Sequence, residues 1–392
     1  MRLQCIGCGK AFPLDEIRYT CDCGNLLSVE RDAITVSRDV FDARRASRNP
    51  IDQSGVWRFR EAVLDAGADV VTHPEGATRL YERGGIFFKH EGENPTGSFK
   101  DRGMTVAMTQ ARRLGARAVA CASTGNTSAS LAAYAAQAGL RAIVFIPSGK
   151  VAAGKLAQTL AYGATALAVR GDFDAAMRLV REACDRLGIY LVNSINPFRI
   201  EGQKTIVWEL LQDLDWNPPD WIVVPAGNLG NTSAFGKALR EARAAGWIER
   251  MPRLAAIQAS GANPFFRSFN ENFAQRHRVQ AETVASAIRI GDPVSYEKAV
   301  AAIRATNGVV EQVTDEELMA AKQEIDRMGI GCEPASATTL AGVQKLRAAG
   351  VMRENERIVC VLTGHILKDP GAITVDAIEI DPTIEAVGKA LS

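Results

Sequence analysis

The sequence predicts an α/β fold with two parallel-sheet lobes and a small cysteine-rich segment in front of them. Three observations carry this reading. Apolar runs of four to seven residues alternate with helical stretches of ten or more along most of the chain, the pattern of parallel strands joined by crossover helices. The 392 residues exceed what one open sheet around one core accommodates, and at roughly 100–200 residues per domain they make two or three domains. Four of the 8 cysteines, Cys5, Cys8, Cys21 and Cys23, fall close together at the start.

The elements follow in order. Ile86–His90 is a strand, because it is apolar with one β-branched and two aromatic residues, and Met104–Leu114 is the helix after it. Ala116–Ala122 is a strand and Thr127–Ala138 an alanine-rich helix. Arg141–Ile146 and Thr165–Val169 are strands, with helices over Val151–Tyr162 and Phe173–Leu187. Tyr190–Asn193 is a strand before a helix over Gly202–Leu214. Trp221–Pro225 and Leu254–Gln258 are strands flanking a helix over Asn231–Ala245. Residues Ser260 to Asp292 lack periodicity and read as irregular, partly over a cleft. Asp315–Met328 and Ala335–Ala349 are helical, and Arg357–Leu362 is a buried strand.

The N-terminal cysteines form C-x2-C, a spacer, then C-x-C. Two close pairs on two turns can set four thiolates around one tetrahedral Zn2+. Gly9 and Gly24 follow a cysteine of each pair and tolerate the tight backbone of a metal knuckle. Four protein ligands leave no open position, so such a metal folds the segment and does not catalyse. Disulfides or free thiols are the other readings, and a reducing cytosol opposes disulfides. The remaining cysteines are scattered singly in apolar segments, as small core residues are.

Composition removes several function classes. Hydrophobic residues are 47% and charged residues 23%, ordinary for a globular protein. Lys and Arg total 46 against 45 Asp and Glu, a net charge of +1, so the footprint of a general nucleic-acid binder is missing. No apolar run approaches the ~20 residues that span a bilayer. The first residues have no apolar stretch of signal-peptide type. The expected location is the cytoplasm, with no nucleic-acid or membrane partner.

In open α/β sheets ligands bind beyond the carboxyl ends of strands, and four loops there stand out. In His90–Gly103, Lys100 sits where a helix begins, a place whose dipole disfavours an ammonium and favours the neutral, nucleophilic amine. On spacing alone it also reads as a surface lysine. Ala122–Ser128 crowds hydroxyls and a glycine at a helix start, an anion site or a simple N-cap. Pro225–Thr232 is strand, glycine loop, helix, which cradles phosphate or makes a tight turn. It lacks both the P-loop and the dinucleotide glycine patterns. Leu362–His365 puts polar residues at the end of the last buried strand.

Together these loops resemble those of the fold type II pyridoxal-phosphate enzymes, and within them the threonine synthase family. Asn94-Pro95-Thr96-Gly97-Ser98-Phe99-Lys100-Asp101-Arg102-Gly103 matches the family's Schiff-base motif. Ser123–Ser128, Gly227–Asn231, Thr363–His365, Asn193–Thr205 and Glu333–Ala337 match further blocks, and the resemblance runs from about Glu75 to Leu367. One departure lies upstream, where Arg79 replaces the proline of the family's Gly-x-Thr-Pro-Leu.

The resemblance implies a tryptophan synthase β-like fold with pyridoxal 5'-phosphate in the cleft between lobes. It implies a zinc ribbon over 1–30 with Cys5, Cys8, Cys21 and Cys23 on a structural Zn2+, a large domain over 31–90 and 195–392, and a small domain over 91–194. Lys100 would carry the cofactor as an internal aldimine and shuttle protons. Asn126 would bond the ring hydroxyl and Thr363 the pyridine nitrogen, while Gly227, Asn228, Leu229, Gly230 and Asn231 hold the cofactor phosphate. Ser123, Thr124 and Thr127 would grip the substrate near its carboxylate, and Ser194, Arg199 and Asn228 its phosphate. The implied reaction turns O-phospho-L-homoserine and water into L-threonine and phosphate, in a homodimer. A relative using O-phosphoserine and sulfite would need similar phosphate grips. A serine or threonine dehydratase would need none, and a silent zinc-dependent binding protein would not need Lys100.

Overall fold

The computed structural model describes residues 1–65, 67, 69–149, 153–372 and 377–391. Its strands are β1 (Arg2–Cys5), β2 (Ala11–Phe12), β3 (Leu27–Glu30), β4 (Leu80–Arg83), β5 (Ile86–His90), β6 (Ala118–Ala122), β7 (Arg141–Pro147), β8 (Thr165–Val169), β9 (Tyr190–Leu191), β10 (Trp221–Pro225), β11 (Arg253–Ala259), β12 (Val309–Val313) and β13 (Ile358–Leu362). They make three sheets. The first three form a small antiparallel sheet, ordered β2-β1-β3. Six form β12-β11-β10-β13-β5-β4, parallel except for the β4–β5 edge pair. Four form the parallel β8-β7-β6-β9.

The expected strands all appear, because central parallel strands are apolar on both faces and read as continuous runs. β10 and β13 are buried at every position. β4 is half-buried to exposed and β12 half-buried at three of its five positions, so neither was legible as a run. The first two residues of the helix expected over Val151–Tyr162 lie outside the described residues, and Ala153–Ala161 is helical.

Three expectations need correction. The helix after β5 begins at Lys100 and not at Met104. Its first turn buries Asp101 and Arg102 completely, so charge hid the helical period. The helix expected over Gly202–Leu214 is two helices, Pro197–Gln203 and Thr205–Asp213. Pro197 sits in the first turn, where its missing N–H costs nothing, and Asn196 caps it by accepting the Phe198 N–H at 3.0 Å. The stretch Ser260–Asp292 holds a short helix, Pro264–Asn270.

The helices Lys100–Arg113 and Pro197–Gln203 meet backbone to backbone. A Cβ on Gly202 would lie 1.7 Å from the Arg102 carbonyl oxygen, and one on Gly103 would lie 2.9 Å from that of Arg199. This crossing brings Arg199 beside the helix that begins with Lys100.

The small N-terminal sheet is fastened to the same region by buried charge. Glu201 accepts from Lys204 and Lys237 at 2.5 Å each and from Arg31 at 2.9 Å. Burial alone would raise its pKa, yet the three cations hold it at about 2. Lys237 also donates to the Val29 carbonyl and Lys298 to that of Leu27, so β3 is tied to helices Gly230–Ala244 and Tyr296–Ala305.

Candidate active site

The loops after β5 and β13, adjacent strands, are bonded to each other. The Phe99 N–H donates to the Thr363 carbonyl at 3.0 Å and the His365 N–H to that of Gly97 at 2.9 Å. The start of the Lys100 helix is thereby pinned to Thr363.

The helix that begins at Lys100 also carries Arg102, the centre of a saturated ionic floor. Arg102 donates to both oxygens of Glu91, at 2.6 and 2.7 Å, and to Glu209 at 2.8 Å. Lys89 donates to Glu209 and Asp213 at 2.7 Å each. Glu209 also accepts the N–H groups of Ala77 and Thr78, and Asn94 donates to Glu91. The cations hold the Glu209 carboxyl far below the usual range against its burial. The Arg79 departure is accommodated here. Its N–H, which proline lacks, donates to Glu93 at 2.7 Å, and Tyr81 donates to the other Glu93 oxygen at 2.6 Å.

Lys100 itself is half-buried, with its Nζ 3.9 Å from the Phe99 ring centroid. Burial pushes its amine down to about 7, the nearby Arg199 charge adds to this, and Glu333 opposes it. A lysine lowered by desolvation and a neighbouring cation is poised as a nucleophile and proton carrier at neutral pH.

Asn126 and Thr363 are linked to it through Glu333. Asn126 opens helix Asn126–Ala138 and donates from Nδ2 to Glu333 at 3.0 Å. Thr363 is buried and lies 3.2 Å from Glu333 Oε1. Ser123 and Thr124 are half-buried on the turn after β6, where the Ser123 hydroxyl accepts the Gly125 N–H, and Thr127 is half-buried in the first turn of the helix that follows. Asn193, with no role assigned from sequence, braces that turn by bonding both the N–H and the carbonyl of Ala122 at 3.0 Å. Arg199 is buried, spends one nitrogen on the Val192 carbonyl at 3.2 Å, and is lowered to about 10 by burial.

The glycine loop leaves β10 through Gly227 and Asn228 and enters helix Gly230–Ala244 through Leu229, at φ +61°. The first-turn N–H groups of that helix have no intrahelical acceptor and face the loop side, an anion-binding arrangement. Asn228 donates to Ser194 at 2.7 Å and accepts the Val294 N–H at 2.7 Å, so its amide braces two loops.

Buried polar atoms on this helix start and on helix Pro197–Gln203, which packs against it, have no partner: Arg199 Nε, Gln203 Oε1, Asn231 Oδ1 and Thr232 Oγ1. Ser98 Oγ, two residues before Lys100, is another. Buried polar atoms are nearly always satisfied, so a cluster of orphans marks a place for a ligand. With a depressed lysine and a helix N-terminus beside them, these residues fit a phosphorylated aldehyde such as pyridoxal phosphate.

Sequence reasoning assigned no role to Glu333, Gln203 or Thr232, although Glu333 and Gln203 fall in matched blocks. An acid directly before a proline-started helix was the available signal for Glu333.

At the N-terminus, the sulfurs of Cys5, Cys8, Cys21 and Cys23 all lie within 4.8 Å of one another. Cys5 and Cys23 are 3.4 Å apart, and Cys8 and Cys21 3.6 Å. The N–H groups of Gly7 and Cys8 point at the Cys5 sulfur.

Comparison with known proteins agrees with this geometry. The family described as "Pyridoxal-phosphate dependent enzyme" matches residues 68–364. Threonine synthase of Methanocaldococcus jannaschii is 46% identical over 95% of this chain and 94% of its own length. That of Methanosarcina acetivorans is also 46% identical, over 99% and 98%. The chloroplastic threonine synthase 2 of Arabidopsis thaliana is 42% identical over 92% and 75%. Among solved structures, Escherichia coli threonine synthase shares the fold at 18% identity, with a TM-score of 0.73 over 100% of this chain and 94% of that one. The chain belongs to the pyridoxal-phosphate dependent enzyme family, on its threonine synthase branch.

Proposed function

We propose that this protein converts O-phospho-L-homoserine and water into L-threonine and phosphate, with pyridoxal phosphate on Lys100. The observation that carries the reading is the set of unpartnered buried polar atoms on helices Pro197–Gln203 and Gly230–Ala244, the first of which packs against the helix of a depressed lysine. When bound, the cofactor draws electrons from the substrate's α-carbon.

The chain's own residues do the rest. Lys100 holds the cofactor, then moves protons at its Nζ, for which a pKa near neutrality suits both directions of transfer. The N–H groups from Gly227 to Asn231 hold the cofactor phosphate, and Asn126 and Thr363 orient the ring. Ser123, Thr124 and Thr127 hold the substrate carboxylate. Ser194 and Arg199 orient the substrate phosphate, with Asn228 fixing Ser194. A buried guanidinium meets a phosphate dianion with paired, charge-assisted bonds.

The four N-terminal thiols hold a structural Zn2+, because their mutual spacing is near that of tetrahedral Zn–S bonds of ~2.3 Å. The protein acts in the cytoplasm as a homodimer. Among the described residues no helix is long and apolar enough to cross a membrane.

The test is product analysis with the cofactor supplied. Threonine and phosphate in equal amounts from O-phospho-L-homoserine are expected. Bound cofactor without threonine would overturn the substrate assignment and direct the search to O-phosphoserine with sulfite. Metal analysis should find one zinc per chain, lost when Cys5 and Cys8 are replaced by serine.

A further inference from the structure

Among the described residues, Glu333 is the one carboxylate that touches both groups assigned to the cofactor ring. Its Oε2 accepts from Asn126 at 3.0 Å and its Oε1 lies 3.2 Å from the Thr363 hydroxyl. It is 4% exposed. Gly364 makes room for it, since a Cβ there would lie 2.4 Å from the carboxyl carbon. Its own N–H donates to the Gly364 carbonyl at 3.0 Å, which fixes the backbone that presents it.

The proton positions around Thr363 follow from counting donors. Ser336 Oγ accepts two N–H groups, from Thr363 at 2.8 Å and Gly364 at 3.1 Å. Its own proton therefore goes outward, and Thr363 Oγ1, at 3.1 Å, is the acceptor in reach. Thr363 then has one proton of its own to give. It can go to Glu333 or to whatever stands beside Thr363 in the site.

We propose that Glu333 is a positioning residue whose charge sets the direction of the Thr363 hydroxyl and so the hydrogen bond offered to the pyridine nitrogen. This rests on the cofactor reading above. With Glu333 ionised, the Thr363 proton turns to the carboxylate, and the nitrogen meets a lone pair that favours its protonated form. With Glu333 neutral, the hydroxyl turns to the nitrogen and favours its unprotonated form. The choice sets how strongly the ring withdraws electrons.

The groups facing Glu333 allow both states. Burial raises its pKa, while Asn126, Lys100, Thr363 and Lys368 favour the anion. Lys100 comes from the helix after β5 and Lys368 from the segment after β13. The buried thiol of Cys332, the residue before Glu333, is pushed up by its own burial and stays neutral.

The test compares the visible absorbance of bound pyridoxal phosphate against pH in the wild type, Glu333→Gln and Glu333→Asp. The wild type should show a spectral transition that Glu333→Gln loses while keeping the cofactor, and that Glu333→Asp retains at a shifted midpoint. Thr363→Val, which breaks the relay without touching the carboxylate, should lose the same transition and decides the matter if Glu333→Gln does not fold. An unchanged transition in Glu333→Gln or in Thr363→Val would overturn the proposal and leave the cofactor site intact. A wild type that binds no pyridoxal phosphate would instead overturn the reading beneath it.

Discussion

The ionic floor centred on Arg102 and the polar groups around Arg199 are both buried, and they differ in one respect. In the floor, Arg102, Glu91, Glu209 and Lys89 are buried and every charge meets its opposite at 2.6–2.8 Å. In the second group, Arg199, Gln203, Asn231 and Thr232 are equally buried and leave polar atoms without partners. Burying a charge is costly, and a protein recovers that cost only through complete pairing. A saturated cluster is therefore finished structure. An unsaturated one of the same burial is structure waiting for a ligand.

This contrast predicts where mutations act. The largest effect should come from Lys100→Ala, with turnover down by about 1000-fold or more and the cofactor's visible band lost. Normal turnover in that variant would break the comparison at its centre. The wild-type amine should titrate near pH 7, because burial lowers it from its ordinary value near 10.5. Between those pH values the unfolded chain binds more protons than the native one. The cofactor-free protein should then gain stability as pH rises through that window. Denaturant midpoints at several pH values measure this, with Lys100→Met as the variant that should flatten the gain.

Next comes the floor. Arg102→Met strips Glu91 and Glu209 of their common partner and should cost about 3–5 kcal/mol of stability, read from denaturant unfolding. Cofactor affinity per folded molecule should change little. Arg199→Ala should do the reverse. Its loss should raise the KM for the phosphorylated substrate by about 10- to 100-fold, the worth of charge-assisted hydrogen bonds, with cofactor affinity nearly unchanged. Equal loss of the cofactor would move Arg199 off the substrate. The smallest effect on stability belongs to Thr232→Val. Its hydroxyl has no partner to lose, so the cofactor-free protein should stay within about 1 kcal/mol of wild type, while cofactor binding weakens measurably by spectroscopic titration.

The parts of the site that lie within one motif were legible in the sequence. Lys100 at a helix start, Asn126 on a glycine turn and Thr363 at a strand end are each local statements about a strand exit. Glu333 was not, because its meaning depends on residues 126, 336 and 363 meeting in space. The helical period of the first turn after Lys100 was hidden for a related reason. Asp101 and Arg102 look like surface residues in sequence, and only their distant partners make them core. Asn228 shows the same limit. The motif supplies an amide at that position, while Ser194 and Val294 determine that both its ends are already engaged.

The most direct test of the central claim is to incubate the protein with pyridoxal phosphate, reduce with borohydride and locate the modified lysine by peptide mass spectrometry. The contrast between saturated and open polar groups predicts a single label on Lys100. Lys89, Lys204 and Lys237, each held by two or three carboxylates, should carry none. A label on any of those three, or an unlabelled Lys100, would contradict it.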